Sequence, residues 1–246
     1  MMRKLFFAVV TLFLLCSCSS ELMPACYREA GNSITVVQEV PFFEQINISE
    51  GVELVVQQGT EISVTLSAGE NVMDEMEARV SDNILYVKNN LECSLGTVQP
   101  VKATVTVPDL KKIYSASQFN VSSNGVLNFP ELTLQQGLYG KTASNIFTME
   151  VNCQQLVVEN NNTTIFRIRG NAENVVVNFY GGDPRFEGGN LEANNIQVFQ
   201  RSSNDMILKP LLKVEGDIYS NGNLVLLNHP ETVNVTQHYT GHIVYP

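Results

Sequence analysis

Hydrophobic and polar residues alternate along most of this chain, from Ile34 to the C-terminus, and this pattern predicts β-strands throughout. Gly51–Gly59 and Glu61–Leu66 are two such segments joined by a turn, and Val101–Val107 alternates just as regularly. Asn71–Ala78, rich in Met, Asp and Glu, is the one segment that predicts a helix, and it is short. We therefore predict an all-β fold.

Beyond residue 108, short apolar runs recur at intervals of 18 to 24 residues and are separated by turn-forming clusters. The positions that mark this repeat are Ile113, Leu132, Leu156, Val175, Ile196, Val214 and Val233. A period near 20 residues, in strands too short to bury a face alone, is typical of stacked rungs that form parallel sheets. Several turn signals fall within each repeat, which favours a β-solenoid. A β-sandwich, whose strands also repeat at short intervals, is the alternative.

A resemblance to a known family runs from about Val36 to the C-terminus and is carried by Phe42–Ile48, Gly51–Gly59, Val101–Leu110, Gly216–Gly222 and Tyr239–Ile243. The family that these segments resemble is described as putative auto-transporter adhesin, head GIN domain. It implies a right-handed parallel β-helix preceded by a smaller N-terminal β region. It also implies a location at the surface or in the periplasm of a Gram-negative cell, and no catalytic residues come with it.

The N-terminus carries a basic start, Arg3 and Lys4, followed by an apolar run of 11 residues from Leu5 to Leu15. A membrane-spanning helix needs roughly 20 residues, so this run is typical of a secretory signal instead. The tetrad Leu15-Cys16-Ser17-Cys18 resembles a bacterial lipobox, which implies cleavage before Cys18 and a diacylglycerol on its sulfur. We predict a signal peptide over 1–17, a tether over 18–33 and a β-solenoid domain over 34–246. The alternative is an ordinary signal peptide with two incidental cysteines.

The charge balance limits the kinds of partner. The net charge is −10, and removal of Arg3 and Lys4 with the signal makes it −12. Nucleic acid and anionic lipid surfaces both need clustered basic residues, so neither is predicted as a partner. An acylated Cys18 would hold the domain at the membrane without a basic patch. Together with the Gram-negative cell that the family resemblance implies, this lipid anchor predicts a location in the cell envelope, in the outer membrane of a Gram-negative bacterium.

The cysteines predict no metal site, and the sequence motifs predict no cofactor. Cys26, Cys93 and Cys153 cannot all pair with one another, and whether any disulfide forms among them is left open. The mature chain lacks a Cys-x-x-Cys motif. No phosphate-binding glycine loop and no nucleophile motif occurs either, so no cofactor is predicted.

Tyrosines and asparagines in the turn clusters are the candidate binding residues. Tyr180, Tyr219 and Tyr239 are predicted to contact a glycan or protein ligand, because amphipathic aromatic rings on turns are poorly explained by packing. The asparagines are predicted to stack as amide ladders that satisfy the turn backbone, at Asn160–Asn162, Asn194–Asn195 and Asn221 with Asn223.

The leading hypothesis is a non-enzymatic envelope lipoprotein that serves as a binding or adhesion module. The alternative is a polysaccharide-active hydrolase using Asp183 and Asp205, which are 22 positions and about one rung apart. Rungs are about 4.8 Å apart, so the two carboxyl groups could approach the roughly 5–5.5 Å of a retaining glycosidase pair. Asp is also expected in turns because its side chain caps backbone donors. A purely structural role, the ligand, the membrane face and the oligomeric state stay open.

Overall fold

The computed structural model describes residues 29–91, 101–139 and 144–246, and over these residues the fold is all-β. Its strands are β1 Ser33–Gln38, β2 Gln45–Ile48, β3 Val52–Gln58, β4 Ser63–Gly69, β5 Met76–Ser81, β6 Ile84–Asn89, β7 Val101–Val107, β8 Lys112–Ser115, β9 Val121–Leu127, β10 Glu131–Gln136, β11 Asn145–Asn160, β12 Thr164–Phe179, β13 Arg185–Gln200, β14 Met206–Ile218, β15 Leu224–Leu226, β16 Thr232–Gln237 and β17 Ile243–Val244. Within the described ranges, no helix is long and apolar enough to cross a membrane.

The strands wind into a solenoid with two faces. Sheet 1 contains β5, β6, β2, β8, β10, the second halves of β11–β14 and β16. Sheet 2 contains β1, β4, β7, β3, β9, the first halves of β11–β14, β15 and β17. Each of the long strands β11–β14 therefore bends and contributes to both sheets. The β-solenoid of about six turns confirms the predicted fold class.

The register of sheet 1 follows the sequence repeat. Directly opposed positions on successive rungs are Leu132, Leu156, Val175, Ile196, Val214 and Val233. Ile113 is opposed to Leu134 instead of Leu132. A shift of two residues keeps the same side chains on the inner face, so the hydrophobic pattern alone cannot detect it. Parallel pairing on every one of these rungs is the arrangement of a solenoid and not of a sandwich.

The smaller N-terminal β region differs from the rest in strand direction. β4 pairs antiparallel with both β1 and β7, and β5 pairs antiparallel with β6. Asp82 and Asn83 form the β5–β6 turn with φ values of 52° and 60°, as a tight hairpin requires. The predicted helix over Asn71–Ala78 is wrong: a single 3₁₀ turn, Met73–Glu75, precedes β5. Pairing of Met76–Ser81 with β6 outweighs its helical composition.

The core consists of one continuous column of apolar side chains. Within it Phe147 and Phe166 stack between neighbouring rungs with ring centroids 5.0 Å apart, and Phe166 and Phe179 stack across the interior of one rung at 6.1 Å. All three rings are fully buried. At Gly170 and Gly216, whose φ values are +111° and +130°, an added Cβ would lie 2.0 and 1.9 Å from a carbonyl oxygen of the neighbouring rung. These two positions therefore accept only glycine.

Buried amides close the turns that follow the sheet 1 strands. The Asn160 side chain, fully buried, accepts a hydrogen bond from the Asn162 backbone N–H at 2.6 Å and donates to Gln136 Oε1 at 3.3 Å. At the bend of the long strands, Asn195 Nδ2 donates to Asn174 Oδ1 at 3.0 Å. These contacts agree with the predicted structural role of the asparagines, because they satisfy groups that would otherwise be buried without a partner.

Val175→Asp tests the register. Val175 is 1% exposed, between Leu156 and Ile196 in the column, so a carboxylate there would be buried without a partner. We expect a loss of several kcal/mol in the free energy of unfolding, measured by thermal unfolding with circular dichroism. The control Val176→Asp places the same charge on the outer side of the same strand, where the residue is half-buried. Equal losses in the two variants would contradict the assigned inner face.

Candidate binding surface

Four aromatic rings line the outer side of sheet 1 where its strands end: Tyr180, Phe199, Tyr219 and His238, here called the aromatic strip. Ring centroids are 5.9 Å apart for Tyr180 and Phe199, and 5.3 Å apart for Phe199 and Tyr219. Tyr219 and His238 stack at 4.1 Å with an interplanar angle of 2°. Together the rings form an ordered surface feature across successive rungs.

The strand register explains why these rings meet. Phe179, Gln200, Ile218 and Gln237 are opposed to one another at the ends of β12, β13, β14 and β16. The residues that follow them, Tyr180, Arg201, Tyr219 and His238, therefore come into line on the outer side. Phe199 precedes Arg201 by two residues and shares its face, because side chains alternate along a strand. The ring row follows directly from the stacking of the rungs.

Neighbouring rings of the strip pack against one another through their faces. Tyr219 has His238 parallel to one face and Phe199 tilted against it. Tyr180 and Tyr219 nevertheless remain 37% and 43% exposed. The strip therefore presents ring edges and hydroxyl groups to solvent, and its stacked faces are already occupied.

Carboxylates flank both ends of the strip. Tyr180 Oη donates a hydrogen bond to Glu159 Oε1 at 2.6 Å. Burial, with a further contribution from Glu159, raises the pKa of Tyr180 to about 12, so the phenol remains a donor. At the other end His238 Nε2 and Asp217 Oδ1 are 2.7 Å apart. The strip thus combines apolar ring edges with hydrogen-bonding groups of fixed position.

The predicted ligand-contact residues fall partly within this strip. Tyr180 and Tyr219 belong to it, whereas Tyr239 follows His238 by one residue and lies outside it. Sequence reasoning missed Phe199 and His238. Their spacing was a usable signal, because the four strip residues are separated by 19, 20 and 19 positions, close to the repeat period.

The two candidate catalytic aspartates are not aligned. Arg185 lies opposite Asp205, since the adjoining pair Phe186 and Met206 is in register, and Asp183 lies two positions earlier. Asp183 accepts a hydrogen bond from the Thr163 hydroxyl. Asp205 Oδ1 accepts one from the Asn223 backbone N–H at 2.8 Å. Asp183 therefore bonds to the turn of the preceding rung, and Asp205 bonds to the turn of the following rung. The alignment of the two aspartates on which the hydrolase hypothesis depended is missing.

One cysteine, Cys153, lies within the described residues. Cys18, Cys26 and Cys93 lie outside them, as do the lipidation site and residues 18–28 of the predicted tether, whereas residues 29–33 are described and Ser33 begins β1. Cys153 is a free, half-buried thiol near the bend of β11. Burial raises its pKa to about 11, which keeps it protonated and a poor nucleophile near neutral pH.

Comparison with known proteins identifies the family of this chain. The family model described as “Putative auto-transporter adhesin, head GIN domain” matches residues 42–230. The chain belongs to this family. The match extends over the N-terminal β region and nearly all rungs of the solenoid, and it confirms the resemblance inferred from the sequence segments. No curated protein matches the chain.

Solved structures with the same fold include proteins described as putative adhesins. One described as a “putative adhesin” from Bacteroides fragilis has a TM-score of 0.77 at 18% identity, covering 86% of this chain and 96% of that one. A “putative lipid binding protein” from Parabacteroides distasonis has a TM-score of 0.66 at 11% identity, covering 87% and 98%. A “putative adhesin” from Parabacteroides merdae has a TM-score of 0.63 at 15% identity, covering 87% and 98%. At these identities the likeness shows the fold alone.

Membership of the head GIN family gives the functional class in outline. The family description indicates an adhesion-like, non-enzymatic role for a surface or exported protein. That outline agrees with a fold that carries a row of aromatic rings on its described surface.

Asp205→Ala tests whether this aspartate has a structural role. Loss of its hydrogen bond to the Asn223 backbone should lower the free energy of unfolding by about 1–2 kcal/mol. The measurement is chemical denaturation, with Asp74→Ala as the control because Asp74 is an exposed residue of the 3₁₀ turn. Release of oligosaccharides from polysaccharide by the unmodified protein, with loss of that release in Asp205→Ala, would instead revive the hydrolase hypothesis.

Proposed function

We propose that this protein is a non-enzymatic adhesion module, anchored by lipid on Cys18 in the Gram-negative cell envelope, which binds a partner protein through the aromatic strip. The observation that carries the proposal is the strip itself. Exposed, stacked aromatic rings recur on successive rungs along the outer face of sheet 1. Family membership supports the adhesion-like class, and the strip supplies a surface that could perform it.

The anchor follows from the N-terminal sequence. We interpret the short apolar run and the lipobox-like tetrad as a signal peptide with a lipidation site. The nonperiodic segment that follows is interpreted as a tether. Each buried methylene contributes about 0.8 kcal/mol to membrane affinity, so several acyl chains on Cys18 suffice to retain an acidic domain. The tether then lets the solenoid present the strip away from the membrane.

A protein partner fits the strip better than a glycan does. A sugar ring binds by lying against an open aromatic face, and the face of Tyr219 toward His238 is already stacked. Ring edges, tyrosine hydroxyls and flanking carboxylates are groups that protein interfaces use widely. Tyr180 and Tyr219 also lose little side-chain freedom on binding, because neighbouring rings already hold them.

The anchoring prediction concerns Cys18→Ala. Without the sulfur there is no lipid attachment, so the variant should leave the membrane fraction and lose incorporation of a labelled fatty acid. The measurement is fractionation of expressing cells at high salt, followed by detection of the chain. Retention of Cys18→Ala in the membrane fraction would contradict the lipobox interpretation. The control Cys26→Ala, which lies in the predicted tether, should remain membrane-bound.

The adhesion prediction concerns Tyr180→Ala and Tyr219→Ala. Beads coated with the mature chain are added to epithelial cells or to bacterial cells, each before and after protease or glycosidase treatment. We expect each substitution to weaken attachment by roughly tenfold or more, as for an aromatic interface anchor. Protease should abolish attachment. The matched control is Tyr245→Ala, because Tyr245 is also 43% exposed and also stacks on a histidine, His229, outside the strip.

Two outcomes of that experiment would contradict the proposal. Equal loss of attachment in Tyr245→Ala would show that the strip is not the contact surface. Loss of attachment after glycosidase but not after protease would show that the partner is a glycan.

A further inference from the structure

Sheet 2 carries a depression of about 380 Å³ on its outer side, away from the aromatic strip. It lies where the pairing of β13 with both neighbouring strands is interrupted. The register shifts between Glu187 and Asn190 against β12, and between Glu187 and Glu192 against β14. The extra residues of β13 form a bulge, and bulges redirect side chains in this way at functional sites.

A glycine keeps this depression open. A Cβ added at Gly189, which lines it, would lie 2.8 Å from Leu227 Cδ1 and 3.5 Å from Ile207 Cγ2. The side chains of Met149 and Ile168 are nearly fully buried and face the core, so Ile207 forms the apolar wall. The depression thus combines an apolar wall with an open centre.

Arginines surround it. Arg167 and Arg169 line the depression, and Arg185 is joined to it through Glu187. Glu187 receives the Nε donors of Arg167 at 2.8 Å and of Arg185 at 2.9 Å. Arg169 Nη2 donates to Glu150 at 2.7 Å.

The arginines of this cluster are paired with carboxylates. Arg167 and Arg185 share Glu187, Arg169 pairs with Glu150, and Asp205 lies opposite Arg185 on the next rung. The hydrogen bond from Arg167, followed by that from Arg185, lowers the pKa of Glu187, so this carboxylate stays ionised and holds both guanidinium groups. Arg167 uses its Nε here, which leaves its terminal Nη donors for a ligand, and Arg169 uses Nη2 for Glu150, which leaves its Nη1. A guanidinium fork pairs best with a planar, two-oxygen anion.

We propose that this depression binds a carboxylated sugar, either a uronic acid or a sialic acid, through Arg167 and Arg169. The sugar's carboxylate would accept hydrogen bonds from the arginine Nη groups. Its apolar ring face would rest on Ile207. The volume lies within the usual range for small-molecule sites.

The test is a calorimetric or NMR titration of the mature, folded chain with two acidic probes and their neutral counterparts. Trigalacturonate is compared with its methyl ester, and sialyllactose with lactose. We expect saturable binding of one or both acids and none of the neutral compounds. Which acid binds distinguishes the uronic from the sialic source. Inorganic sulfate is titrated separately.

The variants locate the site. Arg169→Gln and Arg167→Gln should each weaken binding of the acid by roughly tenfold to a hundredfold, the range expected for a lost charge-assisted hydrogen bond. The matched control Arg79→Gln removes another exposed arginine paired with a glutamate, Glu77, and should leave binding unchanged. Gly189→Val should block the depression while retaining the circular dichroism spectrum.

Four results would overturn this proposal. These are equal binding of acid and methyl ester, an equal loss in Arg79→Gln, sulfate binding as tight as the sugars, and no saturable binding of either acid at millimolar concentration. Failure of the aromatic strip in the adhesion experiment would not affect this outcome, because the two surfaces share no residue.

Discussion

Parallel stacking of hydrogen-bonded rungs is the constraint on which this structure depends. Adjacent strands are held about 4.8 Å apart, so any side chain repeated at the rung period meets its counterpart directly. Apolar positions such as Leu156 and Val175 become one continuous column, and buried phenylalanines stack along it. A single rung could not bury its inner face alone. The same spacing brings the outer rings into contact.

The two proposed surfaces use this constraint in opposite ways. The aromatic strip exists where the register is kept, since Tyr219 and His238 follow opposed residues and therefore stack. The arginine-lined depression exists where the register is broken, since the extra residues around Gly188 and Gly189 separate β13 from its neighbours. Continuous stacking of the rungs gives the aromatic strip, and its interruption gives the arginine-lined depression.

The sequence was informative about the fold because the period is visible in single residues. Each marker of the repeat from Leu132 to Val233 is opposed to the next one. Ile113 was misassigned by two positions because Leu132 and Leu134 both face inward. The helix over Asn71–Ala78 failed because local composition does not contain the pairing with β6.

The candidate site was only partly readable, for a related reason. Tyr239 was chosen because it is an aromatic residue in a turn. The turn glycines show the correct alignment, because Gly222 follows Tyr219 by three positions and Gly241 follows His238 by three, so His238 is the counterpart of Tyr219. The aspartate pair was chosen at a spacing of 22, whereas the rung that contains Arg185 repeats at 20. The arginine-lined depression depends on the bulge in β13, and a periodic sequence pattern does not indicate where a bulge occurs.

The glutamines that close the turns have a consequence for how such proteins change length. Gln200 donates to the Asn204 carbonyl at 2.8 Å, and Gln237 donates to the Gly241 carbonyl at 2.6 Å, four residues ahead in both cases. Each of these turns therefore has a hydrogen bond within its own rung, in addition to those that join it to a neighbouring rung, such as the bond from Ser202 Oγ to the Pro184 carbonyl. A rung duplicated as a whole would bring its own turn-closing amide with it, so the outer surface would lengthen in fixed steps of one rung.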